Sequence, residues 1–141
     1  MDPMTTNGAL DAFATGPQTQ AAFDASPQLG AVVDQMRSTG QLRHDWALVR
    51  TLLVYKLRSA LAQYSTFSIP KEVEDQKALV LTKMETQERA PFTLQRLTEV
   101  LLAPLTYYKQ LHKFLNAVEK LLFVSSTVDQ LTADPPSDFK A

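Results

Sequence analysis

The sequence of 141 residues contains no cysteine, which excludes disulfide bonds, thiolate metal sites and a cysteine nucleophile. Glycine is scarce, with four residues, and neither a GxGxxG nor a GxxxxGK[ST] phosphate-binding motif is present. No stretch approaches the ~18 consecutive apolar residues that a transmembrane helix needs. The first residues, MDPMTTNGALDAFATG, also lack the basic start and long apolar run of a secretory signal. We therefore expect neither a membrane span nor a signal peptide.

Neither sign of charge dominates, since 14 Lys and Arg residues face 15 Asp and Glu residues. A balanced chain lacks the positive field with which many proteins attract nucleic acid or anionic membranes. Apolar residues make up 45% of the chain, enough to build a folded core. The composition thus favours a globular domain that binds neither DNA nor membranes through charge alone.

Residues typical of catalysis or metal binding are also scarce. The two histidines, His44 and His112, are far apart in the sequence, and no cluster of carboxylates accompanies them at ligand spacing. No serine or threonine lies in a recognisable nucleophile motif with a base. We interpret both histidines as helix-end or surface residues. We predict that the protein is not an enzyme and has no cofactor or metal.

What the sequence does contain is helical periodicity. Leu29, Val32, Val33 and Met36 follow the i, i+3, i+4, i+7 spacing of one helix face, and Gly40 is a typical residue just past a helix end. Asp45 is a suitable N-cap for a helix over about 46–64 that is apolar around most of its circumference, as a central helix would be. Three more helices are predicted over about 71–88, from Leu94 to Pro104, and from about 107 to 122.

These patterns predict an all-α fold, a single-domain bundle of about five main helices. Residues 28–128 are assigned to this helical domain. Segment 123–128 either continues the last helix or runs extended across the core. We expect residues 1–27 to be a flexible N-terminal segment, although their isolated apolar residues could dock a short helix or two, and residues 129–141 to be a disordered tail.

The most specific stretch lies between Pro91 and Ser126. It reads PFTLQRLTEVL, followed by Pro104 and Tyr108, then KFL at 113–115, VEK at 118–120 and Val124. In this stretch the chain resembles the regulatory subunit 2 family of protein phosphatase 4. The segments PQLGAVVDQMRSTG (27–40) and Trp46 through Leu57 are similar to the same family, so the resemblance covers about residues 27–127. The sequence departs from the family pattern at positions 105–106, 112 and 116, where charged residues are more common.

The resemblance implies a non-catalytic subunit that binds the phosphatase 4 catalytic subunit and regulatory subunit 3. It also implies nuclear and cytoplasmic localisation, including centrosomes, and a role in the DNA damage response. We predict the partner contacts to be Arg96, Glu99, Tyr108, Lys113, Glu119 and Lys120, with Tyr108 as an anchor because tyrosine and arginine are enriched in interface hot spots.

Other interpretations of these residues stay open at the level of the sequence. Arg96 and Glu99 could simply form an i, i+3 helix pair worth ~0.2–0.5 kcal/mol. Because consecutive helix residues point in different directions, one of Tyr107 and Tyr108 should lie near the surface. We assign Phe92 and Leu97 to the core. An alternative function is a helical nucleic-acid or chromatin-binding module that uses the 91–122 helix pair as a helix-turn-helix.

Overall fold

The computed structural model describes the backbone of residues 3–64 and 69–133 and the side chains of residues 6–64 and 69–122. The described backbone contains no strand, and the predicted all-α fold is confirmed. The described helices are α1 Pro3–Thr15, α2 Gln20–Asp24, α3 Pro27–Thr39, α4 Trp46–Leu61, α5 Lys71–Glu85, α6 Leu94–Leu102, α7 Pro104–Tyr107 and α8 Leu111–Ala133. The five predicted main helices correspond to α3, α4, α5, α6 and α8.

Helix α4 is the centre of the bundle. It contacts α1, α5 and α6, and apolar side chains are buried around most of its circumference. A helix that is apolar nearly all round must be covered on several sides, as its sequence predicted. The buried residues of α4 are Val49, Leu52, Leu53, Val54, Tyr55, Leu57, Ala60 and Leu61.

The α3–α6 contact positions one face of the candidate site. The predicted α3 stripe is buried in full, and Gly40 ends the helix in the left-handed conformation with φ of 73°. The Gly40 amide donates to the Met36 carbonyl at 2.9 Å. The side-chain amide of Gln95, on α6, donates to the carbonyls of Arg37 and Ser38 at 3.1 and 3.0 Å. Because the last carbonyls of a helix lack partners within it, Gln95 ties the end of α3 to α6.

Residues 3–24 of the N-terminal segment contain two helices that pack on the core. Within residues 1–27, α1 and α2 form two docked helices, and Leu10 and Phe13 are only 1% and 4% exposed. The Phe13 ring meets the Tyr55 ring edge-on with centroids 5.2 Å apart, and the Tyr55 hydroxyl donates to Gln20 Oε1 at 2.8 Å. The alternative of docked short helices therefore describes residues 3–24, because α4 offers an apolar side for them to cover.

At the other end, α8 continues through residues 123–133 as helix. The extended alternative for 123–128 is thus wrong, and helix also occupies the first five residues of the expected tail, 129–133. No proline lies between Leu111 and Pro135, so no proline stops the helix earlier. The rest of the expected tail lies outside the described residues. Across the described helices, none is both long enough and apolar enough to cross a bilayer.

Candidate partner-binding surface

Helix α6 has a clean division between an inward and an outward face. The predicted stripe of Leu94, Leu97, Thr98 and Leu101 is buried, which confirms Leu97 as a core residue. The Thr98 hydroxyl donates to the Leu94 carbonyl at 2.7 Å, so its burial leaves no polar atom unpaired. Because these residues fill the inner face, the remaining polar side chains of α6 point outward.

Arg96 and Glu99 occupy that outward face. Arg96 donates from Nη1 to Glu99 Oε1 at 3.4 Å, and the two side chains are 47% and 34% exposed. The Arg96 guanidinium also lies 4.5 Å from the centre of the Tyr107 ring, within cation–π range. Burial lowers the pKa of Arg96, but the bond to Glu99 and the nearby Tyr107 and Tyr108 outweigh it, so the pKa is raised overall. Arg96 is thus a fixed positive charge, held by a carboxylate and an aromatic ring.

The two consecutive tyrosines face different surroundings, as the sequence predicted. Tyr107 is 41% exposed and lies against Arg96, whereas Tyr108 is partly buried and packs on the core. The Tyr64 hydroxyl donates to the Tyr108 carbonyl at 2.7 Å, which fixes the backbone there. Tyr108 is the predicted anchor, but Tyr107 is the tyrosine that lies next to Arg96.

Phe92 is not a core residue, and our assignment was wrong. Its side chain is 73% exposed, the highest exposure of any large apolar residue among those described. Two bonds fix the turn that carries it, Leu94 N–H to the Pro91 carbonyl and the Thr93 hydroxyl to the Leu121 carbonyl, both at 3.1 Å. Pro91 is buried instead. Phe92 lies in the turn just before α6, so the periodicity of that helix does not place its side chain.

On α8 the predicted contact residues divide into two kinds. Lys113 and Lys120 are exposed and seven residues apart, so they share one outward face. Neither forms an ion pair with another residue whose side chain is described. Glu119 is partly buried and accepts a bond from Gln76 Nε2 at 3.0 Å, while the same amide donates to Asn116 at 2.6 Å. Glu119 therefore joins α8 to α5 inside the chain.

The six predicted residues thus lie on α6, just after α7 and on α8, and do not form one cluster. Arg96 and Glu99 share the α6 face with Tyr107, and the lysines lie on α8, which the Thr93–Leu121 bond connects to the start of α6. Within the described part of the chain, no three His, Asp or Glu side chains are grouped as metal ligands. The arrangement can present charge and apolar surface to another molecule.

Comparison with known proteins identifies the family to which this chain is similar. The PPP4R2 family model matches residues 13–136, which includes the α6–α8 surface. Serine/threonine-protein phosphatase 4 regulatory subunit 2 of Drosophila melanogaster is 29% identical over 114 residues, covering 72% of this chain and 19% of the fly protein. Regulatory subunit 2-B of Xenopus laevis is 28% identical over 117 residues, covering 74% of this chain and 29% of the frog protein.

A third relative, regulatory subunit 2-A of Danio rerio, is 26% identical over 117 residues, with 74% of this chain and 28% of the fish protein covered. The chain therefore spans less than a third of the length of these curated relatives. No solved structure matches it. Because the family model covers most of the sequence and all of the described core helices from α2 to α8, the chain belongs to the PPP4R2 family, the regulatory subunits 2 of serine/threonine-protein phosphatase 4.

Proposed function

We propose that this chain is a non-catalytic regulatory subunit that binds the phosphatase 4 catalytic subunit together with regulatory subunit 3. The observation that carries the proposal is the family match over residues 13–136. The names of the relatives describe a regulatory subunit of this phosphatase. On this proposal the dephosphorylation of serine and threonine belongs to the catalytic partner, and this chain supplies a rigid surface that positions or restrains it.

The outward residues of α6 and α8 are the proposed contacts. Arg96 is held in place by Glu99 and by the Tyr107 ring, so little of its side-chain entropy remains to be lost on binding. Lys113 and Lys120 present charge without a described partner inside the chain. Glu119 contributes through the α5–α8 connection, because its carboxylate already accepts the Gln76 amide. Tyr108 remains a proposed contact, and the Tyr64 hydroxyl fixes its backbone by donating to its carbonyl.

Co-purification with the phosphatase 4 catalytic subunit, with and without regulatory subunit 3, tests this function. We expect a stable complex with the wild-type chain. Charge reversal by Arg96→Glu or Lys113→Glu should weaken it, and the far-ultraviolet circular dichroism should stay at the wild-type value. Lys71→Glu is the matched control, since Lys71 on α5 is exposed and pairs only with Asp75 of its own helix at 3.2 Å. Failure of the wild-type chain to form either complex would reject the proposal.

The cellular roles are part of the same proposal. A phosphatase 4 subunit is expected in the nucleus and cytoplasm and at centrosomes, with a role in reversing DNA-damage phosphorylation. Imaging of a tagged full-length protein before and after DNA damage tests this localisation. We do not favour the helix-turn-helix alternative, because α7 stands between α6 and α8 where that motif has a turn of 3–4 residues.

A further inference from the structure

Arg50 differs from the other arginines of the chain in its surroundings. Its side chain is partly buried, whereas the other five arginines are exposed. Among the residues that the structure describes, no carboxylate forms an ion pair with it. A guanidinium stays charged in proteins, and burying a charge without a counter-charge is unfavourable. Arg50 is therefore a positive charge for which the described part of the chain supplies no anion.

Both Arg50 and Arg58 extend from α4 towards the end of α5. Arg50 Nη1 donates to the Gln87 carbonyl at 2.6 Å, and the Trp46 indole donates to the same carbonyl at 2.9 Å. Two helical turns further along α4, Arg58 Nη2 donates to Glu85 Oε2 at 2.7 Å. Each of these bonds uses one of the five N–H donors of its arginine. The two guanidiniums are thus held at one place, and most of their donors remain available.

The two arginines line the same hollow, which has a volume of about 210 Å³. Val54, which is only 6% exposed, lines it from α4, and Gln18 lines it from the segment between α1 and α2. The Gln18 side-chain amide donates to the Ala14 carbonyl at 3.3 Å, which leaves its second N–H available. Sites for drug-sized ligands measure about 300–1,000 Å³, so this hollow suits a small chemical group.

The charge and the donors of the hollow favour an anion with several oxygens. Arg50 and Arg58 against Glu85 leave its lining with a net charge of +1. Arg58 already pairs with Glu85, so the charge that lacks a partner is that of Arg50. N–H donors are available from three side chains, the two arginines and Gln18. A phosphoryl group matches them with three acceptor oxygens and a charge of about −1.5 to −2 near pH 7, whereas a carboxylate has only two oxygens and a single charge.

We infer that the hollow lined by Arg50, Arg58 and Gln18 binds a phosphoryl group, with Arg50 as its main ligand. Inorganic phosphate and a phosphorylated serine of a protein both offer this chemistry. The bond to the Gln87 carbonyl holds the Arg50 guanidinium in place before the anion arrives, so little side-chain entropy is lost on binding. The site uses none of the predicted partner contacts on α6 and α8, and it stands independently of the proposed function.

Titration of the full chain, followed by the ¹H–¹⁵N NMR signals of the arginine side chains, tests the inference. The probes are inorganic phosphate, a glycine-flanked phosphoserine peptide, the same peptide without phosphate, and acetate. Phosphate and the phosphopeptide should shift the Arg50 and Arg58 signals in a saturable way, and the unphosphorylated peptide should not. Acetate should bind about 10-fold more weakly or less, because it has fewer oxygens and less charge. The tighter of the two phosphoryl probes identifies the source of the group.

Three variants locate the binding. Arg50→Gln should weaken phosphate binding about 10- to 100-fold, because charge-assisted hydrogen bonds are lost. Since Arg50→Gln also loses the bond to Gln87, Gln18→Ala is a second variant that changes only an exposed side chain. It should melt like the wild type and weaken binding about 3- to 10-fold. Arg43→Gln is the matched control, since Arg43 is exposed and bonds to Gln41 outside the hollow at 3.0 Å. It should bind phosphate like the wild type.

The outcomes decide the inference in either direction. Saturable binding that is weakened in Arg50→Gln and Gln18→Ala, and unchanged in Arg43→Gln, supports it. No saturation by either phosphoryl probe overturns it, as does equal weakening in Arg50→Gln and Arg43→Gln, which indicates general attraction between charges. Acetate that binds as tightly as phosphate overturns the choice of a phosphoryl group. If Arg50→Gln fails to fold, wild-type binding by Gln18→Ala overturns the inference.

Discussion

Two glycines of the same helical segment should respond in opposite directions to the same substitution. Gly30 lies within α3, and a Cβ built there meets nothing within 4 Å. Gly40 follows α3 with φ of 73°, and a Cβ there would lie 3.1 Å from the Cβ of Gln95. Gly30→Ala should therefore stabilise the fold, whereas Gly40→Ala should destabilise it.

The expected changes in the free energy of unfolding follow from the backbone conformation at each glycine. Alanine in a helix interior is favoured over glycine by roughly 0.5–1 kcal/mol, so Gly30→Ala should raise the free energy of unfolding by that amount. An L-residue in the left-handed region costs about 1–2 kcal/mol, and crowding against Gln95 adds to the loss in Gly40→Ala. The two variants should differ by about 1.5–3 kcal/mol. Gly40→Asn should lose less than Gly40→Ala, because asparagine adopts the left-handed conformation more readily.

Urea unfolding followed by circular dichroism at 222 nm measures these differences directly. The dependence of the unfolding free energy on urea concentration should have the same slope in all variants, so that differences in the urea midpoint report differences in stability. A difference of about 1.5–3 kcal/mol corresponds to about 5–10 °C in melting temperature for a chain of this size. A Gly40→Ala protein at least as stable as wild type, or a Gly30→Ala protein less stable than wild type, would refute the assignment of the α3 end.

Two further predictions concern the core. Phe114 is fully buried and packs on Tyr64 with ring centroids 5.3 Å apart, so Phe114→Ala should cost about 3–5 kcal/mol in urea unfolding, against less than ~0.5 kcal/mol for the exposed control Phe92→Ser. Burial raises the pKa of Tyr64, so the folded state favours its neutral phenol. The neutral Tyr64 phenol therefore stabilises the folded protein. This stabilisation is fully present below the pKa of tyrosine in the unfolded chain, about 10, and is lost as the pH rises through the pKa in the folded protein. Tyr64→Phe, which also loses the bond to the Tyr108 carbonyl, should be less stable near neutral pH, by about 0.5–1.5 kcal/mol. Its deficit should shrink in unfolding measured above about pH 10, and a constant deficit across that range would contradict the assigned burial.

The main helices could be predicted from the sequence because their buried residues recur at the helical period. The stripes of α3 and α6 are the clearest cases, since each apolar residue at helical spacing is buried. The N-terminal helices were harder, because Leu10 and Phe13 stand among small and polar residues. They are buried against the apolar side of α4. This burial depends on contacts between segments that are distant in the sequence, which a local pattern does not indicate.

The candidate surface could be predicted only where it depends on local spacing along a helix. That Arg96 and Glu99 form a pair follows from their i, i+3 spacing, and the pair is present at 3.4 Å. The choice between Tyr107 and Tyr108 depended on where α7 places the chain and on the Tyr64 bond to the Tyr108 carbonyl, neither of which has a local signal. Phe92 is predicted in the core because aromatic residues usually are, but it lies in the turn before α6, where helical periodicity gives no signal.

The docking of α1 on α4 has a practical consequence for anyone who divides this protein into fragments. A piece that begins at residue 28 would look complete by the helical pattern, yet it would lack Leu10, Phe13, Gln20 and Phe23. The Tyr55 ring would then lose the Phe13 and Phe23 rings on its two sides, and its hydroxyl would lose Gln20. Lys56, whose Nζ lies 3.9 Å from the centre of the Phe23 ring, would be left beside bare apolar surface. Such a fragment could self-associate through that surface and be mistaken for a natural oligomer, so binding experiments should keep both α1 and α2.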